Sequence, residues 1–358
     1  MQTEHRPAVG DQLEAARRGD QDAYASLVGL HRRELVAHCY RMLASLQDAE
    51  DAVQETLLRA WRGLPRFEGR SSFRSWLYRI ATNVCLKAIE RRPRRLLPAD
   101  HGPPAARPSA PAEPLTEAGW IDPLPEAVYA VEDGRASPEA RYERRESIEL
   151  AFTAALQHLP ARQRAVLILR DVLGLSAGEV AEALDSTPAS VYSALQRAHK
   201  GVEERLPPRS QQATLRALGD VRLQALVESH VDAWERGDVA SLVALLTDDV
   251  TLTMPPIPTW FQGRDVVAAF LGAWPLAHAR SWRMIPIRAS GQLAFGAYAL
   301  DPARGVYRGH VIEVITLRGD RISEITAFMS PERFGAFGLP PTVELPAGGS
   351  ARAMDSPA

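Results

Sequence analysis

Cysteine is scarce in this chain: its 358 residues include two, Cys39 and Cys85. Neither a CxxC pair nor a metal-ligand spacing arises from them, and both fall on apolar helical patterns. Buried free thiols are expected, and a disulfide scaffold is excluded. Long apolar runs are also missing. No stretch reaches about 18 uninterrupted apolar residues, and the opening MQTEHRPAVGDQ has no apolar core of the signal-peptide kind, so a cytoplasmic protein without a membrane span is expected. An excess of charge of one sign is lacking as well, since 42 Lys and Arg face 44 Asp and Glu. Any field that attracts nucleic acid must therefore be local. With 46% hydrophobic and 24% charged residues the composition is that of an ordinary folded chain, long enough for two or three domains.

A local field is present. Residues 59–95 carry eleven Lys and Arg against two acids. The stretch 48–95 opens as an acidic amphipathic helix: Val53, Leu57, Ala60 and Trp61 form a packing face, while Asp51, Gln54, Glu55 and Leu58 line another. After a break at Gly63-Leu64-Pro65, a second helix starts near Ser72. Phe73, Trp76, Leu77, Ile80, Ala81 and Val84 make its apolar stripe. Its other side carries Arg74, Tyr78, Arg79, Asn83 and Lys87. An aromatic and an amide among cations suit stacking on unpaired bases and neutralising phosphates.

Upstream, residues 11–46 read as two helices, the second opened by Asp20 as N-cap. His31 and His38 have no carboxylate or cysteine partners in sequence and are expected as solvated or capping side chains. Downstream, eight prolines between 98 and 125 and no periodic apolar pattern mark a linker. From 98 to 140 it holds eight acids and two bases, and Trp120, Ile121 and Leu124 are too apolar for a pure spacer. They suggest docking on another part of the chain or on a partner. Helices resume near Pro138. Ser176 and Glu179 form a capping-box pattern, and Asp185-Ser186-Thr187 turns into a helix with Thr187 as N-cap and Pro188 at its first position. This is a helix-turn-helix. Val191, Leu195, Ala198 and Val202 face inward, leaving Ser190, Tyr192, Ser193, Gln196, Arg197 and Lys200 for a major groove.

About 150 residues follow position 206. Helices are expected at 220–236, 238–246 and 265–273, and strands at 250–254, 282–289, 293–300, 306–317 and 321–328, an α+β order. Asp249, His310, Glu313 and Glu324 lie near Met254, Trp260, Phe270, Trp282, Phe295 and Phe328, the materials of a proton-transfer pocket. Strand alternation, however, sends His310 and Glu313 to opposite faces, and Asp248-Asp249 fits a polar turn. Ligand binding or docking is the expected role.

Three stretches carry a family resemblance. DAEDAVQETLLRAW followed by FRSWLYRIATNVCLKAIERR resembles the sigma-2 domain of extracytoplasmic-function sigma factors, the small sigma-70 relatives that direct bacterial RNA polymerase to promoters. LPARQRAVLILRDVLGLSAGEVAEAL with the helix-turn-helix resembles sigma-4. MPPIPTWFQGRDVVAAF and ITAFMSPERFGAFGLP resemble the SnoaL-like, nuclear-transport-factor-2-like cone found appended to some of these factors. The resemblance implies a polymerase-clamp contact at Asp48, Glu50, Asp51, Gln54 and Glu55. It places the opened minus-ten strand on the loop 68–72, with Arg70 and Ser71, and on Arg74, Tyr78, Arg79, Asn83 and Lys87; the recognition helix takes the minus-thirty-five element. The expected architecture is multidomain: an all-α sigma-2 domain (11–97), an acidic Pro-rich linker (98–137), an all-α sigma-4 domain (138–206), an α+β SnoaL-like cone with a curved antiparallel sheet (219–338) and a disordered tail (339–358). Expected partners are core RNA polymerase and promoter DNA, with room in the cone for a small-molecule ligand, and without cofactor, metal or membrane. The cone is expected to act as a built-in regulator. The rival reading, a DNA-tethered cyclase or isomerase, gives the helix at 48–63 no purpose, and so does an ordinary one-component repressor.

Overall fold

Short polar side chains set the helix starts in the first part of the chain. Here α1 spans Val9–Arg17, α2 Gln21–Gly29, α3 Arg32–Leu43, α4 Leu46–Gly63 and α5 Phe73–Ile89. Asp20 Oδ1 accepts the Asp22 and Ala23 amides at 3.0 Å, Ser45 Oγ accepts Asp48 N at 3.4 Å and Ser72 Oγ accepts Ser75 N at 3.0 Å. Each bond satisfies a first-turn amide that the helix itself leaves unpaired. Where two helices were expected before α4 there are three, because the chain breaks at Leu30 and restarts at Arg32. The computed structural model describes residues 9–115, 119–129, 146–279 and 281–345. The end of the expected linker, the helical restart near Pro138 and the tail beyond Leu345 lie outside the described residues.

After the one-turn α6 (Glu126–Tyr129) come α7 (Leu150–Gln157) and α8 (Ala161–Leu167), which continues into a π turn at Ile168–Val172. The helix-turn-helix follows as α9 (Ala177–Ala183) and α10 (Pro188–Glu203). Ser176 and Glu179 close the capping box in both directions, at 3.2 and 2.8 Å. Thr187 Oγ1 accepts Ser190 N at 3.2 Å, with Pro188 in the first turn.

Two compact units make up the chain. One comprises the residues up to His101, Leu115–Ala213 and the turn Ala289–Gly291; the other comprises Gly102–Pro114, Thr214–Arg288 and the residues from Gln292 on. In the first unit, Leu35 and Tyr40 of α3, Val53 of α4, Leu77 and Ala81 of α5, Leu156, Val166, Val180, Val191 and Ala198 share one apolar core. Burial on this scale is the main source of its stability. Cys39 and Cys85 are fully buried free thiols inside it. His38 is buried too, bonded to Thr82 Oγ1 at 2.9 Å, and burial pushes its pKa down to about 3. It is neither solvated nor a cap, contrary to expectation. Arg164 reaches from α8 to Met42 O and Gln157 Oε1, both at 2.5 Å, and so ties the two helical halves of this unit together. The apolar linker residues dock here: Trp120, Ile121 and Leu124 are buried, Tyr40 donates to Asp122 O at 2.5 Å, and Asp122 Oδ2 accepts Leu46 N at 3.2 Å.

The main run of the second unit begins within α11 (Gln211–Leu218). Among the described residues come α12 (Asp220–Arg236), α13 (Val239–Ala244), α14 (Arg264–Ala273), the short α15 (Pro275–His278) and seven strands, β1 (Leu246–Met254), β2 (Ile257–Gln262), β3 (Trp282–Ala289, whose last residue belongs to the first unit), β4 (Gln292–Asp301), β5 (Val306–Arg318), β6 (Arg321–Phe328) and β7 (Thr342–Glu344). The sheet order is β2-β1-β6-β5-β4-β3, with β7 added to β5. Strand β1 runs parallel to β6, so the sheet is mixed rather than antiparallel throughout. Strand β2 was not among the expected strands; it lies at the sheet edge, where Pro258 interrupts no interior ladder. Leu339 is buried and β7 is paired, so residues 339–344 are ordered, contrary to the expected start of a disordered tail. Phe334 and Leu339 cover one face of the sheet closely. A Cβ at Gly309 would stand 2.8 Å from the Phe334 ring, and one at Gly296 would meet the Leu339 side chain.

Candidate nucleic-acid interface and cavity

Helix α4 buries Ala49, Ala52, Val53, Thr56 and Ala60, and the same periodicity leaves Glu50, Asp51 and Gln54 exposed. Glu55 is half-buried and pairs with Arg59 at 2.6 Å. Asp48 does not belong to this exposed row. It is 9% exposed, with its carboxylate between Arg92 and Arg95, the latter at 2.6 Å. Arg95 also donates to Trp120 O at 2.7 Å, so Asp48 anchors the chain beyond α5 to α4.

On α5 the set expected to face outward divides. Arg79, Asn83 and Lys87 are exposed, as is Arg70 in the preceding loop, whereas Ser71 is half-buried. Tyr78 points inward, 1% exposed, and donates to Glu34 Oε2 at 3.0 Å; burial pushes its hydroxyl pKa up. Arg74 is half-buried, bonded to the same Glu34 oxygen at 2.8 Å and lying over the Tyr78 ring at 4.9 Å. The cause is the width of the packed face: α3 lies against α5, and Glu34 supplies a partner 44 residues away for the phenol. The outward face is itself engaged. Ser75 Oγ donates to Glu179 Oε1 at 3.2 Å, Arg79 pairs with Glu182 at 3.4 Å, and Asn83 Nδ2 donates to Ala183 O at 3.5 Å. The first helix of the helix-turn-helix therefore sits on the α5 face that carries Ser75, Arg79 and Asn83, away from Tyr78. On α10, Ser190, Tyr192, Ser193, Gln196, Arg197 and Lys200 are all exposed, with Tyr192 at 58%, while Val191, Ala198 and Val202 are buried. This is the division that the sequence period implies.

Comparison with known families places these elements. Sigma-70 region 2 matches residues 27–95, Sigma-70 region 4 matches 149–200 and a SnoaL-like domain matches 227–325. The ECF RNA polymerase sigma factor SigG of Mycobacterium tuberculosis is 42% identical over 325 residues, 90% of this chain and 85% of SigG. The chain belongs to the ECF RNA polymerase sigma factors. SigW of Bacillus subtilis, of the same family, is 30% identical over 201 residues, which is 55% of this chain and 96% of SigW. Among solved structures, the M. tuberculosis extracytoplasmic-function sigma factor SigJ shares the fold at a TM-score of 0.55 and 21% identity, covering 88% of this chain and 99% of SigJ. Among the described residues no helix is long and apolar enough to cross a membrane.

The SnoaL-like domain of this sigma factor holds a half-open cavity of about 390 Å³ whose lining includes Trp234, Met254, Phe270, Trp282, His310 and Glu313. His310 and Glu313 do share this face, against the alternation rule. Ala297 pairs with Val311 and Tyr298 with Gly309, so His310 is the extra residue of a β-bulge that re-aims its side chain. Of the other candidates, Asp249 is exposed and paired with Arg318, which holds its carboxyl down at about 2. Glu324 faces away from the cavity, next to Thr326 at 3.3 Å, and burial pushes its pKa up. Sequence reasoning missed His230. It is 2% exposed on α12 and donates from Nε2 to Glu313 Oε1 at 3.0 Å, with its ring 4.6 Å from that of Phe295. Its position four residues after Leu226 on the apolar stripe was the available signal.

Proposed function

We propose that this sigma factor binds core RNA polymerase through the exposed row Glu50, Asp51 and Gln54, with Glu55 beside it, and engages promoter DNA through two surfaces. The minus-ten strand is read by Arg79, Asn83 and Lys87, with Arg70 and Ser71 in the adjoining loop. The minus-thirty-five element is read by Ser190, Tyr192, Ser193, Gln196, Arg197 and Lys200. Asp48, Arg74 and Tyr78 support these surfaces from within. The SnoaL-like domain serves as a built-in regulator rather than a catalyst, and the protein works in the cytoplasm, where polymerase and promoters are.

The observation that carries the reading is the pairing, in one chain, of an exposed acidic and amide row on α4 with an exposed polar and basic row on α10, each opposite a packed apolar stripe. Contacts of α9 with Ser75, Arg79 and Asn83 fit a resting form in which the strand-reading face is covered until the two helical halves part. The test is co-purification with core enzyme and runoff transcription. Asp51→Arg combined with Gln54→Ala is expected to abolish co-purification while leaving the circular dichroism spectrum unchanged; retained binding would refute the assignment. Runoff by chains ending at Leu206 tests the regulatory role, with a changed yield expected.

A further inference from the structure

The cavity of the SnoaL-like domain holds a buried polar pair that nothing in promoter recognition uses. Glu313 reaches it from β5 with a side chain 4% exposed, one oxygen accepting a hydrogen bond from His230. A carboxylate has lone pairs beyond that one bond, and in a mostly apolar wall a further hydrogen-bond donor on the ligand would be favoured. His230 Nδ1 is likewise buried without a hydrogen-bond partner. The surrounding wall is aromatic and flat: Trp234 and Trp282 meet edge to face at 5.5 Å, and Phe270 stacks on Phe261 at 4.3 Å. A volume of about 390 Å³ falls in the range of small-molecule sites.

A second observation concerns the chain segment Gly102–Pro114, which belongs to this unit. Gly102 O accepts Trp260 Nε1 at 2.8 Å, Ala105 N donates to Trp260 O at 2.8 Å, and Ala112 N donates to Thr259 Oγ1 at 3.1 Å. Between the last two contacts the chain lays Pro111 on the cavity wall. Its sequence, GPPAARPSAPAEP, has five prolines, which donate no amide, and no large apolar side chain. Few bonds therefore hold it, and a Pro-rich segment of this kind is stiff enough to leave as one piece. The same segment lies in the chain between the region 2 and region 4 matches.

We infer that the cavity is a receptor site for a neutral, mostly apolar, aromatic small molecule with one hydroxyl donor, seated on Glu313 and closed in by the strap 102–114. The hydroxyl donates to Glu313 beside the His230 bond, and the aromatic body fills the space between Trp234, Trp282 and Phe270. An anionic ligand is excluded by the carboxylate. Occupancy and a seated Pro111 differ in the wall they present, so a ligand that favours the released strap lengthens the free chain between regions 2 and 4. This last step rests on the regulatory reading above; the site itself does not.

The experiment uses full-length protein and three probes, 2-naphthol, naphthalene and 2-naphthoate, followed by quenching of the cavity tryptophans. Saturable binding of 2-naphthol, about tenfold tighter than naphthalene as expected for a hydrogen bond to a charged acceptor, and no binding of 2-naphthoate, are the expected results. In Glu313→Gln the naphthol preference should fall to threefold or less. Ala105→Pro, which deletes a strap hydrogen bond, should speed naphthol association several-fold in stopped flow without altering the preference. Absence of saturable quenching, or equal affinities for the three probes in the wild type, overturns the site even where Glu313→Gln fails to fold. An association rate unmoved by Ala105→Pro overturns the strap. Runoff transcription with and without 2-naphthol is read separately, and naphthol binding with unchanged runoff overturns the coupling while leaving the site standing.

Discussion

Glu149 provides the sharpest stability test, because two opposing effects meet on one carboxylate. It precedes α7, is 4% exposed, and accepts Gln211 N at 2.9 Å and Gln212 N at 2.8 Å, the first amides of α11. Burial raises its pKa, and the neighbouring charge of Glu146 adds to that, while the two amide bonds oppose it; the net result is a carboxyl pushed up from 4.5 to about 7. The folded pKa thus lies above the unfolded one. Folding binds a proton between pH 4.5 and 7, so the contribution is fully present below the unfolded pKa and is lost as pH rises to about 7. At roughly 1.36 kcal/mol per pKa unit the loss is on the order of 3 kcal/mol, equivalent to roughly 6–12 °C in a unit of this size. Glu149→Gln cannot ionise and also gives up one amide bond, at a cost of about 1 kcal/mol at every pH. The assay is the first thermal transition of wild type and Glu149→Gln from pH 4.5 to 8, taken as a difference so that other titrating groups cancel. Wild type should lead at low pH and lose its advantage, or fall behind, above pH 7. If its advantage instead grows with pH, the helix-start amides outweigh desolvation and the reasoning is refuted.

Three further outcomes follow from the packing. Tyr78→Ala should cost roughly 3–5 kcal/mol by cavity formation, whereas Tyr78→Phe should cost about 1 kcal/mol and leave promoter opening intact in permanganate footprints; a footprint lost in Tyr78→Phe would restore the phenol as a strand contact. Gly309→Ala should destabilise the SnoaL-like unit by about 1–3 kcal/mol in urea unfolding, since its Cβ would press on the buried Phe334 ring; an unchanged midpoint would show that the ring yields freely. Glu179→Ala with Glu182→Ala removes two partners of the α5 face, and because such exposed pairs are worth about 1 kcal/mol or less, holoenzyme affinity for a fork-junction promoter should rise about two- to fivefold by fluorescence anisotropy.

The features legible in the sequence are those decided within a turn or two of the chain. Asp20, Ser176 with Glu179, and Thr187 with Pro188 cap the helices they were expected to cap, and Ser72, near which a helix was expected to start, caps α5, because a cap needs only an oxygen two or three residues from a free amide. The six outward residues of α10 are exposed for the same reason: one apolar stripe at helical spacing decides its orientation. Long-range pairing decided the remainder. Tyr78 lies on the polar side of α5 by period, yet Glu34 on another helix draws it inward; Asp48 reads as one more acid of α4 until Arg92 and Arg95 close on it from beyond α5. Period two correctly describes a regular strand and fails at one inserted residue, so His310 turned to the cavity only through a register shift visible in the pairing of β4 with β5. The His230–Glu313 contact spans 83 residues, and the parallel pairing of β1 with β6 spans a similar length. Composition and periodicity are sums over neighbours in sequence, whereas these contacts depend on which surfaces fit once each element has formed, and that was settled by tertiary packing alone.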